Sequence, residues 1–509
     1  MTVSQGASVE YCTIFVSSHT FSVSLRGRIS PRPRFHCPSR VPEPTGTARP
    51  PTNVEETKLS NGVRVVSLDN HGPIASVGVY VRSGSRADRV PGTAHALQHM
   101  AFKQTQQRTA YKLYRDIENF GGIPHSSVSR EGLMFSCDAL RDELPLLVDA
   151  LAESVMQPRL TPWLVREEME GPFSAVVQQQ REDRVQAAEE AVHAAAFGAQ
   201  SALGHSQFAT PASVSGVDDA VLREYLSRNF VGDNVVIVAN NVPHKPFEEL
   251  MDMYFLGVPS VSQSEIGKTQ RAASYEGGVY VVRNDAAPSG SLSHLHLAFQ
   301  GPAASSKDVH AARVLQQLIG SAPYHVHRGG FREQLAALRV GAGPLQEMGH
   351  GKAQSRASRA QEAAGDAIVS LQGAAHAYTD TGLVGVHALV RDDKAPAALE
   401  ALSQLLKELA EKPVGDSELA AAKGAYKMDV ATQQESQTGR RHALAAQALS
   451  SQGSVAGQQL SSTLQAIDGV SAEDVQRVAQ EALKSDPSLG LVGAGANVPR
   501  YDRMAKMFR

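Results

Sequence analysis

The segment His95-Ala96-Leu97-Gln98-His99 sets two imidazoles four residues apart. On a helix such a pair shares one face, and both rings can reach one metal ion. Hydrolysis at a zinc centre needs two further groups: a third protein ligand and a general base that takes a proton from the metal-bound water. In the arrangement His-x-x-Glu-His the residue before the second histidine is that base. Gln98 stands at this position. A carboxamide hydrogen-bonds to water but takes no proton from it near neutral pH. The spacing therefore has the outline of a zinc-peptidase centre without its working group, and on spacing alone two such histidines are more often ordinary helix residues than ligands. His325 and His327 flank Val326 in a Gly-rich stretch, but no Cys or third His lies at metal spacing, so a mobile loop is the better reading. Tyr378 and Asp380 read as residues that close a turn before a strand.

The elements that must position these residues alternate between strand and helix patterns. Asn61-Gly62 between two apolar runs marks a hairpin, followed by a β-branched strand over Val77 to Val81. Helices are predicted over Thr93 to Phe102, Tyr111 to Phe120, Arg141 to Met156 and Leu164 to His193, the last broken at Gly171-Pro172. Leu133 to Cys137 and Val235 to Ala239 read as strands. A second half repeats this order: strands over Val279 to Val282 and Leu295 to Phe299, a helix over His310 to Ile319, and a strand over Gly382 to Leu389. Helices over Ala397 to Glu411 and Val470 to Ser485 follow, then a strand over Leu489 to Gly493. The expected fold class is α/β (α+β), built from two similar units. Their seam is expected in the polar stretch Val258 to Ala273, giving domains 53–262 and 263–509. The Gly-, Ala- and Gln-rich region 320–375 reads as a long loop or insert in the second domain.

Length and composition bound the function. A chain of 509 residues exceeds what one core usually holds. Forty-nine basic against 52 acidic residues leave a net charge of −3, which gives no reason to expect a nucleic-acid partner. Three Cys exclude a disulfide-stapled fold, and no run of apolar residues is long enough to span a membrane. Between Glu10 and Glu43 there is no acidic residue, whereas Arg26, Arg28, Arg32, Arg34 and Arg40 fall there among many Ser. This is the composition of an organelle transit peptide, expected over 1–52 with the Pro-containing linker at its end.

The stretches Asn61 to Val66, Arg82-Ser83-Gly84-Ser85-Arg86 and Gly92 through Lys103 are similar, together and in this order, to mitochondrial processing peptidase subunits. They also resemble the relatives of these subunits, the core proteins of ubiquinol–cytochrome c reductase (complex III), within the pitrilysin-type metallopeptidases. The likeness continues through Ile117-Glu118-Asn119, Ser129-Arg130-Glu131, His193 to Phe197 and Leu203-Gly204. Val314 to Gly320 and Tyr378 to Leu383 most resemble core protein 2, a member without a working zinc site. The resemblance implies two homologous domains, each an antiparallel-rich sheet packed with helices. Active members carry a third zinc ligand, a Glu, which by ungapped counting falls at Ala175 or Val176 here. With Gln98 in place of the base and Ala175 in place of that ligand, the resemblance implies no catalytic residue, no bound metal and no other cofactor. It implies a structural subunit peripheral to the mitochondrial inner membrane on the matrix side. The implied partners are a second core or processing-peptidase-like subunit and the cytochrome and iron–sulfur subunits of complex III. The alternative it leaves is a non-catalytic, presequence-binding subunit of a processing peptidase, and less so an active zinc endopeptidase. The processing-peptidase glycine-rich loop would correspond to the dispersed Gly320, Gly329, Gly330, Gly341, Gly343, Gly349 and Gly351.

Overall fold

The computed structural model describes residues 54–260, 272–283, 291–320, 364–450, 460–494 and 499–508. His325, His327 and most of the glycine-rich region lie outside them.

The first half runs β1 (Val54–Lys58), β2 (Arg64–Leu68), β3 (Ile74–Val81), α1 (Thr93–Met100), α2 (Ala110–Asn119), β4 (Ile123–Val128) and β5 (Leu133–Leu140). It continues with α3 (Leu144–Met156), α4 (Pro162–Glu168), α5 (Ser174–Arg181), α6 (Arg184–Phe197), α7 (Pro211–Val214), α8 (Asp219–Asn229), β6 (Val235–Asn240) and α9 (His244–Phe255). The second half runs β7 (Gly278–Arg283), β8 (Leu292–Gly301), α10 (Val309–Ile319), β9 (Ile368–Ala377), β10 (Gly382–Arg391), α11 (Ala395–Glu411) and α12 (Asp416–Glu435). It ends with α13 (Gln437–Ser450), α14 (Leu460–Asp468), α15 (Ala472–Lys484), β11 (Ser488–Gly493) and α16 (Tyr501–Phe508).

The two sheets have the same topology. In the first, β2 pairs parallel to β6, and β6, β3, β5 and β4 then pair antiparallel, with β1 added at the outer edge. In the second, β7 pairs parallel to β11, and β11, β8, β10 and β9 pair antiparallel. Taken in chain order, the five strands of each sheet occupy the same places. Even the entry to the following helix repeats: a short 3-10 turn at Arg141–Glu143 leads into Pro145 near the start of α3, and one at Asp392–Lys394 leads into Pro396 near the start of α11. Proline is favoured there because its missing N–H would have no helical partner.

Both faces of each sheet are covered, which is why strands such as Val235–Asn240 are buried along their whole length rather than alternating. One face of the first sheet holds Val77, Val79 and Val81 in a core with the helices of its own half; the other face meets a helix from the second half. There Leu444, Ala445 and Ala448 of α13 pack on Val66, Tyr80, Val236 and Val238. The exchange is reciprocal: Val192, Ala196 and Phe197 of α6 pack with Ala298 and Leu383 of the second sheet. Glycine permits both approaches. A Cβ at Gly490 in β11 would lie 2.4 Å from the Val192 backbone nitrogen of α6, and one at Gly78 in β3 would lie 2.7 Å from Cδ of Arg441 in α13. Arg441 is fully buried, and its guanidinium meets Asp138 at 2.6 Å and Ser136 at 2.8 Å, with Tyr80 and Ser76 also accepting from it. A buried charge is tolerated only with such a full set of partners.

A row of imidazoles lies in the seam between α6 and the second sheet. His193, His376, His296, His387 and His294 follow one another with ring centroids 5.4–6.2 Å apart. The Nδ1–H of His193 donates to the Glu189 carbonyl and its Nε2 accepts from the Tyr378 hydroxyl at 2.5 Å, so the neutral ring is the one that fits. Burial pushes His193 and His296 well below the usual value and His294 and His376 down to about 4, with Arg130, Arg184 and Arg313 adding to the shift. Asp183 and Glu189 face the row with the opposite charge.

Two sequence expectations are corrected here. The long helix predicted over Leu164 to His193 does not break at Gly171-Pro172. The residues Met169–Phe173 form a π-turn joining α4 to α5, and the wider turn accommodates the proline ring. The break comes at Asp183, whose carboxylate caps α6 by accepting from the Val185 and Gln186 N–H groups. The region read as insert to residue 375 is strand from Ile368 onward, as β9. Its small residues, which gave no apolar alternation, are needed where α10 crosses: a Cβ at Gly373 would lie 2.3 Å from the Gln316 carbonyl oxygen.

Two outcomes follow. Gly490→Val should destabilise the chain by about 1–3 kcal/mol or more in denaturant unfolding, because the obstructing atoms are backbone, whereas Gly78→Ala, opposed by side chains, should cost less. Stability should also fall as pH drops from 6.5 toward 4. The four histidines with lowered pKa bind protons more readily in the unfolded chain, so their neutral seam is fully stable above the unfolded value of 6.5 and weakens through the window below it. Urea midpoints at pH 7.5, 6 and 5 check this, and a flat profile contradicts it.

Candidate functional site

The helix α1 that carries the histidine pair starts at Gly92, whose φ of 90° admits no ordinary side chain without strain. The Asp88 carboxylate accepts from the N–H groups of Gly92 and Ala94 and so satisfies donors that the first turn leaves open. The helix buries Ala94, Ala96, Leu97 and Met100 in the first core. That packing turns His95 and His99 toward α4 and α5.

The pair then meets groups unsuited to a metal. Phe173, fully buried at the end of the π-turn, packs on both imidazoles, with ring centroids 4.9 Å from His95 and 5.1 Å from His99. Phe208 closes the His95 ring edge-on at 5.2 Å. The Nδ1 of His95 accepts the Ala209 N–H at 3.2 Å. Burial lowers the His95 pKa to about 4. His99 is lowered too, by burial first and by the Lys103 ammonium second, against the raising effect of Glu168. Both rings are therefore neutral at pH 7. Gln98 does not face a water-activating role: its Nε2 donates to the Ser126 carbonyl on β4 at 3.2 Å, and the Ser126 hydroxyl donates back to the Gln98 carbonyl.

By the sequence count the third position falls at Ala175 or Val176. Val165, Met169, Phe173 and Val177 recur every four residues and form the buried face of α4–α5. Ala175 lies two residues past Phe173, on the exposed side. The residue of this segment that meets both imidazoles is Phe173, not Ala175. The carboxylate nearest the pair is Glu168, whose Oε2 lies 3.4 Å from the His99 Nε2, and Lys103 pairs with it. Neither Lys103, Phe173 nor Glu168 received a role from the sequence; the one available signal was Lys103 four residues beyond His99.

A zinc ion does not fit this donor set. One imidazole nitrogen is held by a backbone amide, one faces an ammonium, the nearby carboxylate is ion-paired, and an aromatic ring occupies the space against both histidines. Among the described residues no three His, Cys, Asp or Glu side chains are arranged to hold a metal ion.

The other motif residues come together at the junction of the halves. Arg86, nearly buried, pairs with Glu131 and with Asp380, both at 2.5 Å. The Thr379 N–H donates to the Glu131 carboxylate at 3.0 Å, and Arg130 donates to the carbonyls of Leu203 and His205 and pairs with Glu190. The turn expected at Tyr378 and Asp380 is there, closed by the Tyr378 N–H to the Thr381 carbonyl, and through Thr379 and Asp380 it also ties the second half to the first.

Comparison with known proteins fits this architecture. Residues 64–207 match the model for Insulinase (Peptidase family M16), and residues 217–426 match the model for Peptidase M16 inactive domain. The chain belongs to peptidase family M16. Among curated relatives, it is 29% identical to mitochondrial-processing peptidase subunit alpha of Solanum tuberosum over 467 residues, covering 90% of this chain and 86% of that one. It is 24% identical to cytochrome b-c1 complex subunit 2 of Rattus norvegicus over 490 residues, covering 95% and 98%. A chain in the solved structure of complex III2 from Candida albicans superposes with a TM-score of 0.71 at 18% identity, covering 89% of this chain and 99% of that one. The two matches follow one another along the chain, the second beginning just before α8 of the first half and ending within α12.

The geometry predicts the outcome of a simple attempt to rebuild the centre. Gln98→Glu with Ala175→Glu should retain no stoichiometric zinc after dialysis against a mild chelator, because the new carboxylate at 175 lies on the exposed side while Phe173 still covers both rings. Elemental analysis reads the result, and one zinc per chain would contradict it.

Proposed function

We propose that this chain is a non-catalytic structural subunit of the core protein 2 type in ubiquinol–cytochrome c reductase. It would sit on the matrix side of the mitochondrial inner membrane and pair with a second M16 subunit. The observation that carries this reading is the histidine pair itself, kept at its spacing but neutral, covered by Phe173 and engaged by Lys103. Near-complete coverage of the rat cytochrome b-c1 complex subunit 2 supports the choice of assembly. No helix of the described residues is long and apolar enough to cross a membrane, consistent with a peripheral place on the assembly. In this reading residues 1–52 are a removable transit peptide and linker, and 53–262 and 263–509 are the two peptidase-like domains. A second reading, a presequence-binding partner in a processing peptidase, has its support in the 29% identity to the potato alpha subunit.

Native purification separates them. The chain should co-migrate with the cytochromes of complex III under mild detergent, and the chain alone should hydrolyse no presequence peptide. Recovery only in a soluble heterodimer that cleaves presequences would favour the second reading, and cleavage abolished by His99→Ala would overturn both.

A further inference from the structure

The outer edges of the two sheets are not alike. In the first sheet β1 lies beyond β2 and pairs with it antiparallel over five residues. In the second sheet β7 holds the place of β2, and among the described residues no strand lies beyond it. The chain that enters β7 does not double back: the Glu276 and Gly277 N–H groups both donate to the Ala196 carbonyl of α6. The chain that leaves it goes on to β8, on the far side of β11. Gly278 donates its N–H to the Pro487 carbonyl, toward β11. Main-chain groups alternate in direction along a strand, so those of Val279 and Val281 point outward.

An open strand edge is a template for a further strand, and proteins blunt such edges with charge, proline or a covering segment. β1 carries Glu55, Glu56 and Lys58, β4 carries Pro124, and β9 gives its Gly373 N–H to the Gly320 carbonyl. The run Val279-Tyr280-Val281-Val282 has neither charge nor proline. It consists of residue types that favour strands, and Tyr280 and Val282 are 43% and 37% exposed. The exposed Arg283 ends the strand, and among the described residues no carboxylate pairs with it.

We propose that the outer edge of β7 takes up an extended segment of a partner polypeptide, antiparallel to it, as a sixth strand of the second sheet. The first sheet shows the chemistry that fits: β1 sets Glu56 against Arg64 of β2 at 2.6 Å. The segment accordingly carries a carboxylate for Arg283 and apolar β-branched or aromatic residues beside Tyr280 and Val282. Two β7 strands from separate copies would not supply that carboxylate, since Gly278–Arg283 contains none. The edge is the same in either assembly, so both readings above are compatible with it.

Hydrogen exchange at single amides, compared between the native assembly, purified through a tag on this chain, and the free full chain, tests this. Exchange at Val279 and Val281 should slow at least about tenfold on assembly, the worth of a new hydrogen bond. With Tyr280 replaced by the photoreactive benzoylphenylalanine, irradiation should link the chain to one acid-containing segment of another subunit. Val281→Pro removes one outward N–H and spares the ladder to β11, a change that an edge strand tolerates. It should return Val279 to the free-chain rate while the β11 amides, flanked by strands on both sides, stay protected. Equal exchange at Val279 and Val281 in the free and assembled chain overturns the proposal, and that comparison needs no variant to fold. A cross-link only to a second copy of this chain, or only to residues 1–53, overturns it as well.

Discussion

The approach of α6 to β11 at Gly490, matched by that of α13 to β3 at Gly78, is the constraint on which the molecule depends. Each half lends a helix to the other half's sheet. A two-faced sheet covered on one side only would leave a row of apolar side chains in water, so neither half is complete alone. The exchange explains why the polar groups at the junction are so heavily satisfied. Arg441, Arg86 and Arg130 are buried charges, and each finds its anion or carbonyl partners, those of Arg441 and Arg86 partly in the opposite half. The junction is therefore sensitive both to added volume and to charge state.

The histidine pair sits in the first core under quite different conditions. Its surroundings remove water, lower both pKa values and set an aromatic ring and an ammonium against the rings. Burial that would favour a neutral ligand imidazole also suits an imidazole that only packs. The difference is made by what stands opposite, and opposite these rings stand Phe173 and Lys103. Around this cleft α1, α4 and the π-turn share the first core through Ala94, Leu97, Val165 and Met169.

Much of this was legible in the residues. The strands β2, β3, β5, β6, β8, β10 and β11 carry apolar residues, β-branched above all in β2, β3 and β6, and the sequence pattern located them. The strand β4 escaped because an edge strand carrying Pro124, His125 and two serines has little apolar signal, and β9 because its run of Gly373, Ala374 and Ala375 shows no alternation, Gly373 having no room for a side chain beneath α10. The helix α13 was missed for a tertiary reason: its buried face includes Arg441, whose partners are strands far away in the chain. In the site, the pair His95 and His99 and the altered position Gln98 could be read directly. Phe173 could not, since the π-turn and the helix face decide which residue of α4–α5 meets the pair, and counting along the chain led to Ala175. Lys103 depended on a left-handed turn at Phe102, which no local residue preference announces.

In this M16 cleft Phe173 packs on both imidazoles and the Lys103 ammonium lies between His99 and Glu168. Anomalous diffraction at the zinc absorption edge, from crystals of the native chain grown with zinc present, tests this arrangement most directly. The account predicts no anomalous peak within coordination distance of His95 or His99, with the Lys103 side chain in density between His99 and Glu168. A peak at full occupancy bound to the His99 Nε2, with Lys103 turned away, would contradict it.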